Sequence, residues 1–208
     1  NRSSPLHSGH IIVPPLVMEK ELQPSSWGSD RVEEDRGLLL FLQCSPGIMR
    51  ERQLFVDSIS KDTYRDPDRI VLVKMSEDSR QPKLSQLETL RSMRNSTFCP
   101  VPSGDLPFTT RYFFAVLSGC IPVVLLHPGR GGGNWWSVGG PPVEDSVPWA
   151  NHPDIDHRKF VVEISYRDLH TVVPRLQAMP KSEIVRRRQA IFEARAKLVY
   201  DFAGSSPD

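Results

Sequence analysis

The chain has 208 residues, enough for one sizeable domain that buries a core without disulfide bonds. Apolar residues make up 38% and charged residues 25%, which is typical of a folded domain, and no apolar run is long enough to span a bilayer. The formal net charge of +1 excludes a protein that captures nucleic acid or another polyanion through a strong positive field.

We predict three regions in chain order. Residues 1–35 form a linker between domains that is partly disordered, residues 36–203 form one folded domain, and residues 204–208 form a tail. Because the first residue is Asn1 rather than Met, we expect the chain to be a fragment or a processed product.

Strands and helices are predicted to alternate within the folded domain. Apolar runs of strand length occur at residues 37–43, 70–73, 96–101, 121–126 and 160–164. Apolar residues at helical spacing predict helices at 49–59, 84–93 and 109–117, and two further helices that close the chain, the last at 183–202 with Ser182 as its N-cap. This alternation predicts an α/β fold with a doubly wound parallel sheet, which binds ligands beyond the carboxyl ends of its strands.

Residues 102–111 have the chemistry of an anion site. Gly104 permits a ligand to approach the backbone closely, and Thr109 and Thr110 offer hydroxyl groups where a helix begins. The guanidinium of Arg111, in the first turn, could bind a phosphate in a bidentate manner, so a diphosphate could be held without a metal ion. Ordinary turn and helix-cap chemistry with a solvated arginine explains the same residues, and both interpretations stay open.

Residues 96–124 resemble the signature of the exostosin family of glycosyltransferases. The family pattern is Phe-Cys, Pro-basic-Gly-Asp, Ser/Thr-x-Arg, an acidic residue with Ala, and Gly-Cys-Ile-Pro-Val-Val. The matching positions in this chain are Phe98, Cys99, Pro102, Gly104, Asp105, Thr109, Arg111, Ala115 and residues 119–124. Flanking segments at 10–15, 36–41, 142–145 and 159–162 also agree, so the resemblance covers roughly residues 10–200, but only the second half of the family's domain.

The resemblance implies the GT-B fold, in which two Rossmann-like domains enclose the active site, and this chain resembles the C-terminal, nucleotide-sugar-binding half. It implies transfer of a sugar from a nucleotide donor, a UDP-sugar, to a glycan acceptor with inversion and without a metal cofactor. Arg111 would bind the diphosphate and Glu144 the ribose hydroxyls. The implied nucleotide-sugar-binding residues are Gly104, Asp105, Thr109, Thr110, Arg111 and Glu144.

By the same resemblance, we expect the protein to lie on the lumenal side of the Golgi membrane, to have a missing N-terminal GT-B half as its partner, and to form a homo- or hetero-oligomer.

Three departures from the family pattern leave a second function open. Ser103 stands where the family has a basic residue, Phe114 stands where it has an acid, and the loop at 127–157 is longer. The alternative is a non-catalytic sugar- or nucleotide-binding module, or a partner of an active homologue. The catalytic base is not identifiable, and we expect the fragment alone to be inactive because a base can come from the other half.

Four other clusters have simpler interpretations. Residues 66–68 spell Asp-Pro-Asp but precede a strand, which indicates a turn rather than a metal-binding Asp-x-Asp. Residues 152–157 hold two His and two Asp that could bind a divalent ion, but we expect a solvated surface loop. Gly131 to Gly133 lack the Lys-Ser/Thr of a phosphate-binding loop and indicate a hinge, and the arginines at 186–188 are expected to lie mostly on the exposed face of the last helix.

The three cysteines are Cys44, Cys99 and Cys120. Their odd number and wide spacing are typical of neither a disulfide framework nor a zinc site. We therefore expect Cys99 and Cys120 to be small apolar core residues.

Overall fold

The computed structural model describes residues 32–45, 50–63, 66, 68–74, 83–102, 110–126, 154–195 and 197–198. The strands are β1 (Leu38–Cys44), β2 (Ile70–Lys74), β3 (Ser96–Pro100), β4 (Ile121–Leu126) and β5 (Val162–Ser165). The helices are α1 (Arg50–Thr63), α2 (Gln86–Arg94), α3 (Thr110–Leu117), α4 (Val172–Gln177) and α5 (Lys181–Arg195), with short 3-10 helices at His157–Lys159 and Tyr166–Thr171. In these segments, every helix is too short or too polar to cross a membrane.

The five strands form one parallel sheet in the order β2-β1-β3-β4-β5. Leu40 of β1 lies opposite Ile70 of β2 on one side and Phe98 of β3 on the other. The predicted α/β, Rossmann-like parallel sheet is therefore confirmed. The chain leaves β1 towards β2 and later continues from β3 in the opposite direction, so the topological switch point lies between β1 and β3.

Helices cover both faces of this sheet. The right-handed crossovers that connect parallel strands place α1 on one face and α2 and α3 on the other, because α1 runs from β1 to β2 and the other two run in the opposite direction. The contacts agree, since α1 packs against α4 while α3 packs against α2 and α5. This two-sided cover explains why the apolar run of β1 is continuous, with Leu39 to Leu42 all buried.

The turn between α3 and β4 depends on Gly119. Its φ of 65° is the left-handed conformation that glycine adopts at low cost, and it ends α3 immediately before the next strand. The sequence prediction that Gly119 closes this helix is confirmed.

Cys99 and Cys120 form a disulfide, with 5.8 Å between their Cα atoms. The expectation that both lie in the apolar core is confirmed, but the expectation that they form no disulfide was wrong. Cys99 lies in β3 beside Pro122 of β4, so the register of two neighbouring parallel strands brings Cys120 next to it despite a separation of 21 residues. Cys44, at the end of β1, is buried and forms no disulfide.

Two predictions for the last helix were also wrong. The helix begins at Lys181, so Ser182 lies inside it; Glu183 and Ile184 donate backbone hydrogen bonds to the carbonyl of Pro180. Arg188 is not solvated but only 3% exposed, because its guanidinium donates to the backbone carbonyl of Glu34 at 2.6 Å. A long aliphatic stem lets this arginine cross the apolar face of the helix while its head finds an acceptor.

Candidate functional site

The structure describes two of the six predicted nucleotide-sugar-binding residues. Thr110 and Arg111 are the first two residues of α3, which follows β3 at the carboxyl edge of the sheet. Gly104, Asp105, Thr109 and Glu144 lie outside the described residues. Their binding roles, like those of Thr110 and Arg111, stay predictions.

A cavity of about 730 Å³ opens at this edge. Gln43, near the carboxyl end of β1, and residues of α2 and α3 line it. The side chains that line it include Gln43, Lys83, Thr89, Thr110, Arg111 and Phe114. Arg111 therefore faces a cavity at the carboxyl ends of the strands, where ligands of doubly wound sheets bind.

The guanidinium of Arg111 lies in an environment that disfavours its charge. Burial lowers the pKa of Arg111, the negative charge that Cys44 carries when it is ionised raises it, and the positive charge of Arg52 lowers it further. None of the ion pairs within the described part of the chain involves Arg111. Keeping a partly buried cation charged near a second cation costs free energy. Such groups are concentrated at ligand sites, where an anion offsets this cost.

One wall of the cavity is held rigidly by Gln43. The amide of Gln43 donates to the carbonyl of Leu84 at 3.3 Å and to the hydroxyl of Thr89 at 3.0 Å, and its oxygen accepts from the backbone of Leu84 at 3.2 Å. These bonds tie the end of β1 to the start of α2. The sequence analysis missed Gln43, although one polar residue at the end of an apolar strand is a usable signal.

The first turn of α2 carries a complete capping box. The hydroxyl of Ser85 accepts from the backbone N–H of Glu88, and the carboxylate of Glu88 accepts from the backbone N–H of Ser85 at 2.7 Å. The hydrogen bond from the Ser85 hydroxyl is the main reason that the pKa of Glu88 lies below its ordinary value. The helix start that borders the cavity is thus fixed before any ligand binds.

Tyr112, directly after Arg111, is anchored on the other side of α3. Its hydroxyl forms a 2.6 Å hydrogen bond with Nδ1 of His157, and burial raises the pKa of Tyr112 well above 10. The rings of Phe113 and Phe160 pack against this pair. The bond connects α3 to the segment that follows the 127–157 loop.

The expectation of a solvated loop at 152–157 was wrong for His157, which is 3% exposed. Asp156 instead caps the short 3-10 helix by accepting from the backbone of Arg158 at 3.1 Å. His152 lies outside the described residues. In the part of the chain that the structure describes, no group of three or more His, Cys, Asp or Glu side chains could hold a metal ion.

The turn predicted at residues 66–68 is confirmed for its described part. The backbone carbonyl of Asp66 accepts from Arg69 at 3.2 Å and from Ile70 at 3.0 Å, so the turn leads into β2. It therefore lies at the amino edge of the sheet, opposite the cavity beside Arg111.

Comparisons with known proteins connect the chain to glycosyltransferases. The model of the Exostosin GT47 domain matches residues 3–179. The chain is also similar to the protein described as "Probable xyloglucan galactosyltransferase GT19" of Arabidopsis thaliana, with 26% identity over 121 residues. That alignment covers 56% of this chain and 25% of the relative, so this chain spans about a quarter of the relative's length.

Proposed function

Because this chain belongs to the Exostosin GT47 family of glycosyltransferases, we propose that it binds a UDP-sugar donor at the carboxyl edge of its sheet and serves in sugar transfer to a glycan acceptor. The observation that carries the proposal is Arg111, a partly buried cation without a carboxylate partner among the described residues, at the start of α3 and facing a cavity. A diphosphate supplies the negative charge that this environment lacks.

The proposed roles follow from where charge develops during transfer. The acceptor hydroxyl gives its proton to the catalytic base and attacks the anomeric carbon from the side opposite to UDP, which inverts the configuration. The bond between that carbon and the β-phosphate oxygen breaks, and UDP leaves. Negative charge then grows on the departing diphosphate. Arg111 and the free backbone N–H groups at the start of α3 stabilise this charge, and the preorganised first turn does so without a metal ion.

The remaining donor contacts rest on the family pattern. Gly104 and Asp105 form the turn that lets the backbone approach the phosphates, and the hydroxyls of Thr109 and Thr110 extend the anion site. The carboxylate of Glu144 accepts two hydrogen bonds from the ribose hydroxyls. The acceptor and the catalytic base belong to the N-terminal GT-B half, which completes the cleft.

The Cys99–Cys120 disulfide supports an oxidising compartment as the place of this reaction. Disulfides persist in oxidising compartments and are rare in the cytosol. This agrees with the lumenal side of the Golgi membrane, which we propose from the family resemblance, together with an assembly of the chain with itself or with a homologue.

One observation favours the alternative of a non-catalytic binding module. Phe114 stands where the family pattern has an acidic residue, and its ring packs with Leu90 and Leu117 while it lines the cavity. An apolar ring cannot accept hydrogen bonds from a sugar or move a proton. If the acid contributes to transfer in active members, this chain binds the donor and leaves transfer to a partner.

Two assays separate these functions. Calorimetric titration with UDP, in the presence and absence of EDTA, tests donor binding without metal; loss of binding on chelation would contradict the proposal. Turnover of UDP-sugars by the chain, alone and joined to an N-terminal half, tests transfer. We expect UDP binding in both forms and turnover only in the joined form, whereas binding without turnover in the joined form supports the non-catalytic alternative.

A further inference from the structure

The cavity at the start of α3 has a second cation on its α2 side. Lys83 lies two residues before Ser85, the residue that caps α2, and it lines the same cavity of about 730 Å³ as Arg111. Because α2 and α3 pack against each other, the two cations border one space from two helices. The volume lies in the range of about 300–1,000 Å³ that is typical of small-molecule sites, so one ligand can contact both side chains.

The backbone beside Lys83 is fixed before any ligand binds. The side chain of Gln43, only 8% exposed, accepts from the backbone N–H of Leu84 at 3.2 Å and donates to the carbonyl of Leu84 at 3.3 Å. On the other side of Leu84, the capping box of Ser85 and Glu88 fixes the first turn of α2. Lys83 is therefore attached to a rigid edge of the cavity, while its exposed, flexible side chain can adjust to a ligand.

The charged groups that line the cavity leave an excess of positive charge. Among the described residues, neither the side chain of Lys83 nor that of Arg111 takes part in a hydrogen bond or an ion pair. The carboxylate of Glu88 also lines the cavity, but it already accepts from the backbone N–H and the hydroxyl of Ser85, at 2.7 and 2.6 Å. Two cations without a carboxylate partner at one cavity favour a ligand that carries more than one negative charge.

We infer that Lys83 and Arg111 together bind the diphosphate of the nucleotide donor, Lys83 from the entry to α2 and Arg111 from the first turn of α3. This inference rests on the proposed function, because it names a second group that holds the donor. The planar guanidinium of Arg111 binds two oxygens of one phosphate in fixed geometry. The ammonium of Lys83 is a compact charge with three donors on a flexible stem, so it contacts the remaining phosphate oxygens without needing a second fixed fork.

Lys83 should contribute less to affinity than Arg111, because its side chain is exposed and Arg111 is partly buried. Exposed ion pairs contribute little, and charge-assisted contacts in a closed site contribute more. For Lys83→Gln we expect a loss of affinity of roughly 3- to 15-fold, for UDP and for inorganic diphosphate alike. Because salt screens exposed charges, this loss should shrink as the salt concentration rises.

The experiment is calorimetric titration of the full chain with UDP and with inorganic diphosphate, each at low and at high salt. The variants are Lys83→Gln, Lys83→Arg, which keeps the charge, and Arg111→Gln, with Lys61→Gln as the matched control. Lys61 is also an exposed lysine, but it lies in the last turn of α1, which leads away from the carboxyl edge of the sheet. Thermal unfolding of each variant shows whether it is folded.

We expect Lys83→Gln to weaken both ligands at low salt by about threefold or more, and Lys83→Arg and Lys61→Gln to stay closer to the wild type than that. If Lys83→Gln binds UDP like the wild type while Arg111→Gln binds it more weakly, the inference is wrong and the proposed function stands. The inference is also wrong if Lys83→Gln weakens UDP but not inorganic diphosphate, because Lys83 then contacts the nucleoside. Wild-type binding of inorganic diphosphate but not of UDP would contradict the proposed function, and weaker diphosphate binding by Lys83→Gln would still retain Lys83 as a diphosphate contact. Wild-type binding of neither ligand would overturn both.

Discussion

The Cys99–Cys120 disulfide gives a prediction whose magnitude follows from the fold. It joins two residues separated by 21 positions, and the loop that it closes contains the whole of α3. The loss of loop entropy in the unfolded chain for a closed segment of this length corresponds to about 3 kcal/mol at 25 °C. Reduction should therefore lower the free energy of unfolding of the wild type by about 3 kcal/mol. A typical urea dependence converts this to a midpoint about 1 to 3 M lower.

The assay is urea denaturation of the oxidised and reduced wild type and of a Cys99→Ala/Cys120→Ala double variant. The double variant should resemble the reduced wild type and should not respond to reductant. Cys44→Ala is the matched control, because Cys44 is also a buried cysteine but forms no disulfide, so this variant should retain the full response to reductant. If reductant leaves the wild-type midpoint unchanged, then the two thiols are not bonded and the wall around α3 is not fixed in this way.

Three further predictions concern the walls of the cavity and the donor contacts. Tyr112→Phe removes the 2.6 Å hydrogen bond to the buried His157 and should lower the free energy of unfolding by about 1–3 kcal/mol in urea denaturation. Glu88→Gln should destabilise the chain at neutral pH, and the difference from the wild type should shrink as pH falls below 4.5. The folded pKa of Glu88 is lowered, so its stabilisation is present above the ordinary value of 4.5 and is lost as pH falls through the folded pKa, which a series of urea midpoints from neutral to acid pH would show. Glu144→Gln should weaken UDP in calorimetry while leaving inorganic diphosphate unaffected, because the proposed contact is to the ribose; equal weakening of both ligands would refute that role.

The sheet could be predicted from the sequence because its strands are buried on both faces. Residues 37–43 and 121–126 are continuous apolar runs, a pattern typical of covered parallel strands, and both became strands. The predicted fifth strand, at 160–164, begins two residues before the observed strand at Val162–Ser165. Phe160 looks like the start of a strand, but its backbone N–H instead bonds to the carbonyl of His157 and closes a 3-10 turn.

The long-range partners could not be predicted, because they depend on register. Nothing in the local sequence brings Cys99 to Cys120, Tyr112 to His157, or Arg188 to Glu34; each pair meets only after the strands have paired.

The central claim is that Arg111 binds the diphosphate of a UDP-sugar at the carboxyl edge of the sheet. The most direct test is calorimetric titration of UDP into the wild type, Arg111→Gln and Arg175→Gln. Arg175 is an exposed arginine near the end of α4 and serves as the matched control. We predict that Arg111→Gln weakens UDP roughly 10- to 150-fold while Arg175→Gln binds like the wild type. Equal affinity of the wild type and Arg111→Gln for UDP would contradict the claim.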